Sequence, residues 1–311
     1  MHAVAPVDPR EALTIELPTY GPTGPETWLD VDWSAHLHRA MVGGRDVNYL
    51  DYGDAAKPTV VLVHGLAGCW ENWLANIEGL AKSFRVVALD LPGFGDSEMP
   101  AEAISIPGYA DAVAGLLDHL ELESAHLIGN SMGGMTSLQL ALDHPSRVDH
   151  IVLVSPAGWS TNELHDALPR LAGFAGLIGG RVAANRESMV RRPKLRAQAL
   201  RGVVAHPEKI SAGMAYELLG GTGTAGFAGA LRALLAHDFR DRLGEIEQPA
   251  LFIWGRRDGV VTSRDIVHFG ERMPHSQRIA LRDTGHVAMV EHPEWFNQVA
   301  AQFLNGQPLS W

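Results

Sequence analysis

The stretch from Ala125 to Leu142 constrains this chain more than any other. Ala125-His126-Leu127-Ile128 is an apolar run suited to a buried strand. Gly129-Asn130-Ser131-Met132-Gly133 is dominated by small residues, and Met135 to Leu142 brings apolar residues back at helical spacing. The pattern is a strand, a sharp turn and a helix, with a serine at the apex on a strained, exposed turn. Gly129 and Gly133 leave room where strand and helix approach, and Gly134 lets the helix lie close to the sheet. The backbone N–H of Met132, at the helix start, points toward any oxyanion formed at Ser131. A Gly-x-Ser-x-Gly string also arises by chance in a chain with 33 glycines, and serine often caps helices without reacting. The residues around it therefore have to decide.

Around this unit the chain alternates. Thr59–Val63 and Arg85–Leu89 read as strands that are apolar throughout, as do Asp149–Val154, Ala250–Trp254 and Gln277–Leu281. Helices are expected around Trp73–Ser83, Ala110–Leu120, 132–143, Arg264–Arg272 and Glu294–Leu304. Strands without a polar face, separated by helices, imply a mostly parallel sheet covered by helices on both faces. His38–Val42 and Val47–Tyr52 read as a hairpin turned at Gly43-Gly44-Arg45-Asp46. From residue 160 to about 240 the alternation lapses into helical and loop-like sequence rich in Gly, Ala and Arg. The organisation read from this is an N-terminal arm (1–37, with a short helix near Trp33), an α/β core (38–158 and 241–311) and an inserted helical cap or lid (159–240). The cap glycines, Gly173, Gly176, Gly179, Gly180, Gly220, Gly221, Gly223 and Gly226, suit either a mobile lid or close helix packing.

Bulk properties narrow the function. A net charge of −11 argues against nucleic acid and anionic membranes as partners. No uncharged apolar run reaches membrane-spanning length, so no stable membrane insertion is expected. The start of the chain lacks a charged segment followed by an apolar one, and the single cysteine, Cys69, rules out an intrachain disulfide. Cytoplasmic localisation is the expectation. A homo-oligomer is left open.

Three more segments fall at strand ends, where open α/β sheets place their sites. His64-Gly65-Leu66-Ala67-Gly68 follows strand 59–63, and its Leu66 N–H can act as a second oxyanion donor. His64 reads as a structural histidine fixing that loop. Trp254-Gly255-Arg256-Arg257-Asp258 ends strand 250–254, with Asp258 the candidate acid; the alternative is a loop aspartate satisfying backbone N–H groups. Asp283-Thr284-Gly285-His286 follows strand 277–281, with His286 the candidate base among 15 histidines. The chain order is Ser131, Asp258, His286.

On these segments, together with Asp90-Leu91-Pro92-Gly93-Phe94-Gly95-Asp96-Ser97, the chain from about residue 38 to 305 resembles the α/β-hydrolase superfamily. The resemblance implies that Ser131 is the nucleophile, His286 its base and Asp258 the acid that orients His286. Leu66 and Met132 would form the oxyanion hole, and Asp90–Ser97 would be a structural turn. It implies no metal and no organic cofactor, and no zinc-binding spacing of His or Cys is present. Trp159, Val261 and Val287 are candidates for an apolar substrate pocket, or plain core. A serine nucleophile argues against the haloalkane dehalogenases and epoxide hydrolases of this fold, which need a carboxylate.

The favoured function is a carboxylesterase or lipase-like enzyme acting on small or medium acyl esters. The alternative is a carbon–carbon bond hydrolase resembling those that act on meta-cleavage products, suggested by Asn130 in Gly-Asn-Ser-Met-Gly-Gly. Against it, Val287 stands where those enzymes usually carry tryptophan, while Arg191 or Arg192 could serve as their cap arginine. A reading from a different class is a non-catalytic, ligand-binding protein on the same fold.

Overall fold

A computed structural model describes residues 12–24, 26–160 and 184–310. Nine strands form one sheet: β1 (Leu13–Ile15), β2 (Leu37–Val42), β3 (Arg45–Tyr52), β4 (Thr59–Val63), β5 (Arg85–Leu89), β6 (Ala125–Asn130), β7 (Val148–Val154), β8 (Ala250–Gly255) and β9 (Gln277–Leu281). Their order across the sheet is β1-β9-β8-β7-β6-β4-β5-β3-β2. Pairing is parallel from β1 through to β5, and β3 alone is reversed, pairing antiparallel with both β5 and β2. Every residue of β4, β6 and β8 is buried, which explains why their sequences show no polar alternation.

Two apolar layers sandwich the sheet. One includes Val61, Val63, Leu127, Met135, Leu138 and Phe252, and it packs under helices Ile106–His119 and Met132–Asp143. The other includes Val60, Leu62, Ile128, Ile253 and Phe296, under helices Leu74–Ala81 and Pro293–Leu304. Between β7 and β8 the described residues are helical (Pro193–Ala199, Ala212–Leu218, Phe227–Ala236) and hold no strand. Residues 161–183, including Gly173, Gly176, Gly179 and Gly180, lie outside the described residues.

Within the described part of the expected N-terminal arm, one short strand joins the sheet. Leu13–Ile15 pairs in parallel with Ile279–Leu281, and β2 begins at Leu37 rather than after it. Three residues are too few to show a strand's period, and the partner lies at the other end of the chain. Residues 16–36 then cross from one sheet edge to the other as a strap over one face. The strap includes a 3-10 turn at Trp33–His36.

The chain leaves β4 toward β5 and returns to β6 on β4's other side. Successive connections therefore diverge at the carboxyl ends of β4 and β6, which opens a crevice between them. The loop carrying Leu66 and the turn carrying Ser131 both sit at this switch point.

Candidate active site

Ser131 occupies the apex between β6 and helix Met132–Asp143 with φ 56° and ψ −117°. That conformation is unfavourable for a residue with a side chain and persists only where the surroundings enforce it. Here they do. Ser131 N–H donates to Val154 O at 3.0 Å, and Ser131 O accepts from Met135 N and Ala157 N. Gly133 sets the geometry more tightly than expected. A Cβ there would lie 2.1 Å from Val63 O and 2.6 Å from His64 O. The room it leaves is thus for the end of β4, which brings the Leu66 loop against the elbow. Two more left-handed residues, Ala67 (φ 62°) and Ser155 (φ 45°), stand just after β4 and β7. Among the described residues, three of the four non-glycine positions with positive φ thus lie around one crevice, the fourth being Glu121.

His64 is fully buried and spent on its loop. Its Nδ1 lies 2.7 Å from Gly65 O and its Nε2 accepts from Leu91 N at 2.9 Å. Burial pushes its pKa below the ordinary histidine range, consistent with a neutral ring holding its proton on Nδ1. Asp90 is likewise structural: its carboxylate accepts from Trp70 N, Asn48 Nδ2 and Asp96 N. The Leu66 and Met132 amides lie on the two sides of the crevice, and among the described residues no protein acceptor takes up either one.

His286 and Asp258 meet. His286 Nδ1 lies 2.8 Å from Asp258 Oδ2, with side chains 7% and 0% exposed. The other oxygen, Asp258 Oδ1, accepts from Val260 N and Val261 N at 2.8 and 2.9 Å. The aspartate thus satisfies loop N–H groups and partners histidine at once. Asn130, beside the serine, donates from Nδ2 to both Val154 O and His286 O, at 3.1 and 3.2 Å. It ties the serine turn to the histidine loop. Among the described residues, neither the Ser131 hydroxyl nor His286 Nε2 forms a hydrogen bond, and His286 bonds Asp258 through Nδ1 alone.

The pocket candidates fare differently. Trp159 stacks on His268 (5.0 Å between ring centres, 7° between planes), with Arg240 5.9 Å from its ring. The structure puts this ring against helix Asp265–Arg272, not over Ser131. Val261 and Val287 are buried in the two apolar layers, and the Val261 carbonyl accepts from Trp254 Nε1. Arg191 is exposed and paired with Glu187 at 2.7 Å. Cys69 is buried, and burial with Glu71 beside it pushes the thiol well above its ordinary range, away from a reactive thiolate.

The insertion grips the site through its main chain. Val203 O accepts from His286 N at 2.6 Å, and Gly202 O accepts from Gly259 N at 2.9 Å. A Cβ on Gly221 would lie 2.4 Å from Gly68 O and 2.6 Å from Ala67 C, so this glycine lets the insertion sit directly on the Leu66 loop. For Gly221, close packing is the reason for glycine. Sequence reasoning missed Glu291, a fully buried carboxyl that accepts from Gly285 N, Ala205 N and Tyr20 OH. Its signal was available: a charged residue directly after the apolar run Val287–Val290.

A family model for the alpha/beta hydrolase fold matches residues 58–293, which contain every strand and loop of the crevice. The chain belongs to the α/β-hydrolase family. Three curated relatives of this hydrolase show the family's breadth. A dihydrolipoyllysine-residue acetyltransferase component of the acetoin cleaving system of Pseudomonas putida is 33% identical, over 86% of this chain and 68% of that one. A pimeloyl-[acyl-carrier protein] methyl ester esterase of Aeromonas hydrophila subsp. hydrophila is 30% identical, over 79% and 95%. A 2-hydroxy-6-oxononadienedioate/2-hydroxy-6-oxononatrienedioate hydrolase of Pseudomonas putida is also 30% identical, over 86% and 95%. No helix among the described residues of the hydrolase is long and apolar enough to cross a membrane.

Proposed function

We propose that this hydrolase cleaves carboxylic esters of small or medium acyl chains through an acyl-enzyme on Ser131. The observation that carries this reading is the strained Ser131 at the switch point, beside a buried His286–Asp258 pair 2.8 Å apart. Ser131 Oγ attacks the ester carbonyl carbon while His286 Nε2 takes its proton. Asp258 holds the Nδ1–H and stabilises the imidazolium. The amides of Leu66 and Met132 take the developing oxyanion. His286 then returns the proton to the departing alkoxide, and water repeats the sequence to release the acid. The insertion between β7 and β8 serves as the cap, and the protein acts in the cytoplasm.

The test is the initial rate of p-nitrophenyl butyrate hydrolysis by wild type and Ser131→Ala. Rapid turnover, lost by about 10⁴-fold or more in the variant, is expected. Substantial residual turnover in a folded variant would remove Ser131 from the role.

The second reading, a carbon–carbon bond hydrolase, is favoured by the 2-hydroxy-6-oxo-dienedioate hydrolase relative and by Asn130. Val287 in place of tryptophan, and Arg191 exposed and paired with Glu187, count against it. A folded wild type inactive on the ester but active on a 2-hydroxy-6-oxo-dienoate would favour it. Activity on neither would leave a ligand-binding role.

A further inference from the structure

His286 is not held by its own loop alone. The next residues to cross beneath that loop are Glu291 and His292, and each bridges it to the strap. The Glu291 carboxyl is fully buried and accepts from three donors at once. Gly285 N reaches both of its oxygens, at 2.9 and 3.0 Å. Ala205 N of the insertion reaches Oε2 at 2.8 Å, and Tyr20 OH of the strap reaches the same oxygen at 2.7 Å. The Glu291 main-chain carbonyl accepts from Gly21 N at 2.7 Å. His292 repeats the pattern. Its Nε2 lies 2.8 Å from Thr284 Oγ1 and its Nδ1 lies 2.8 Å from Thr19 O.

Tyr20 completes the arrangement from the strap side. Its hydroxyl accepts from His206 N at 3.0 Å while donating to Glu291. Its ring sits edge-on between His206 and His292, at 4.8 and 5.3 Å. Three pieces of chain far apart in sequence therefore converge on one carboxyl group: the strap, the insertion and the residue immediately before His286. A buried carboxyl with its acceptors this fully used fixes the positions of the donors, because releasing any one leaves a polar group unpaired in a dry interior.

We infer that the N-terminal strap is a working part of the hydrolytic centre, with Tyr20 and Glu291 acting as positioning residues that set where His286 Nε2 stands relative to Ser131. This inference rests on the reading of Ser131 and His286 given above. Neither residue touches substrate. Their effect is on the geometry of proton transfer, which tolerates little displacement.

The test uses the full chain carrying Tyr20→Phe, Glu291→Gln or both, with Ser131→Ala in parallel. Steady-state kinetics on p-nitrophenyl butyrate, thermal midpoints and the rate of Ser131 phosphorylation by an organophosphate are measured for each. Tyr20→Phe keeps the ring contacts and removes only the hydroxyl, so it preserves the test if Glu291→Gln fails to fold. The expected result is a loss of about tenfold in kcat for Tyr20→Phe with KM within about twofold, and an equal slowing of phosphorylation, since both reactions need the base in place. The double variant should be little worse than Glu291→Gln, because the two act through one contact. A lowered thermal midpoint with wild-type kcat and phosphorylation rate would overturn the inference and leave the strap a structural brace. If Ser131→Ala retains activity, the site reading itself falls and this inference with it. A dead Ser131→Ala beside a fully active Tyr20→Phe removes the inference alone.

Discussion

Ser131 and His286 face the same crevice, but their supports are built differently. Ser131 is positioned mainly by its own strand–turn–helix and one glycine whose missing side chain admits the end of β4, with two backbone bonds from the end of β7 beyond them. His286 is positioned by groups from elsewhere: Asp258, the carbonyl of Val203, the side chain of Asn130 and the carboxyl beneath Gly285. Local construction writes itself into a short motif. Non-local construction leaves little trace in any one stretch of sequence. The contrast teaches that a nucleophile can be fixed by a turn, whereas a base on a loop needs the rest of the molecule to hold it still.

The largest way to break this contrast is Asp258→Asn. An amide at this position can favour the wrong imidazole tautomer, and kcat should fall by about 10⁴-fold with folding retained. Steady-state kinetics beside a thermal melt would check it; full activity would mean another group orients His286. A smaller effect is expected from Gly221→Ala, which pushes the insertion off Ala67 and Gly68. Displacing the Leu66 donor without removing it should lower kcat by about 10-fold, less than the about 10²–10³-fold cost of losing an oxyanion contact outright, while the serine turn stays intact. Unchanged kcat would show that the Leu66 loop holds itself.

The mildest test leaves the crevice and asks whether the sheet's far face limits stability in acid. His126 and His150 lie 5.1 Å apart, and burial holds both imidazoles below the usual histidine range. Each has an Nδ1 with no partner among the described residues. The folded state keeps them neutral while the unfolded chain protonates near pH 6.5. Their contribution to stability is therefore present above about pH 6.5 and is lost as pH falls toward their lowered folded pKa values. Glu71, pushed up to about 7 by burial, acts with the opposite sign. Comparing wild type with His150→Leu isolates the histidine part: the variant's thermal midpoint should gain on wild type between pH 8 and pH 5. A constant difference would mean the pair does not titrate with unfolding.

Much of the fold could be read in the sequence for a simple reason. Strands β4 to β9 each carry a run of buried apolar residues, and their expected and observed bounds agree to within two residues. Helix 132–143 is placed as expected, because glycines and a helical apolar stripe mark it. Leu13–Ile15 was missed because three residues carry no periodicity. Helix Ile106–His119 begins four residues before its expected start, where the Ser105 cap followed by Pro107 starts it ahead of the apolar stripe. At the site, the Ser131 turn and the contact of Asp258 with His286 are legible because each residue follows a recognisable strand. Trp159 is not, since proximity to a boundary says nothing about which way a ring turns. Glu291 and Tyr20 are not either, because their meaning lies in a contact between opposite ends of the chain.

The strap has one more consequence, for how copies of this molecule behave toward one another. An open sheet offers two unpaired margins, and a neighbouring chain can extend it at either. Here one margin is sealed by Leu13–Ile15, a strand too short to template much, and the other is β2, whose outer row carries His38 and Arg39. A polypeptide begun at residue 38 would retain every candidate catalytic group. It would also bare the backbone of Ile279–Leu281, so trimming the front of this chain would cost it solubility as well as the Tyr20 support of the site.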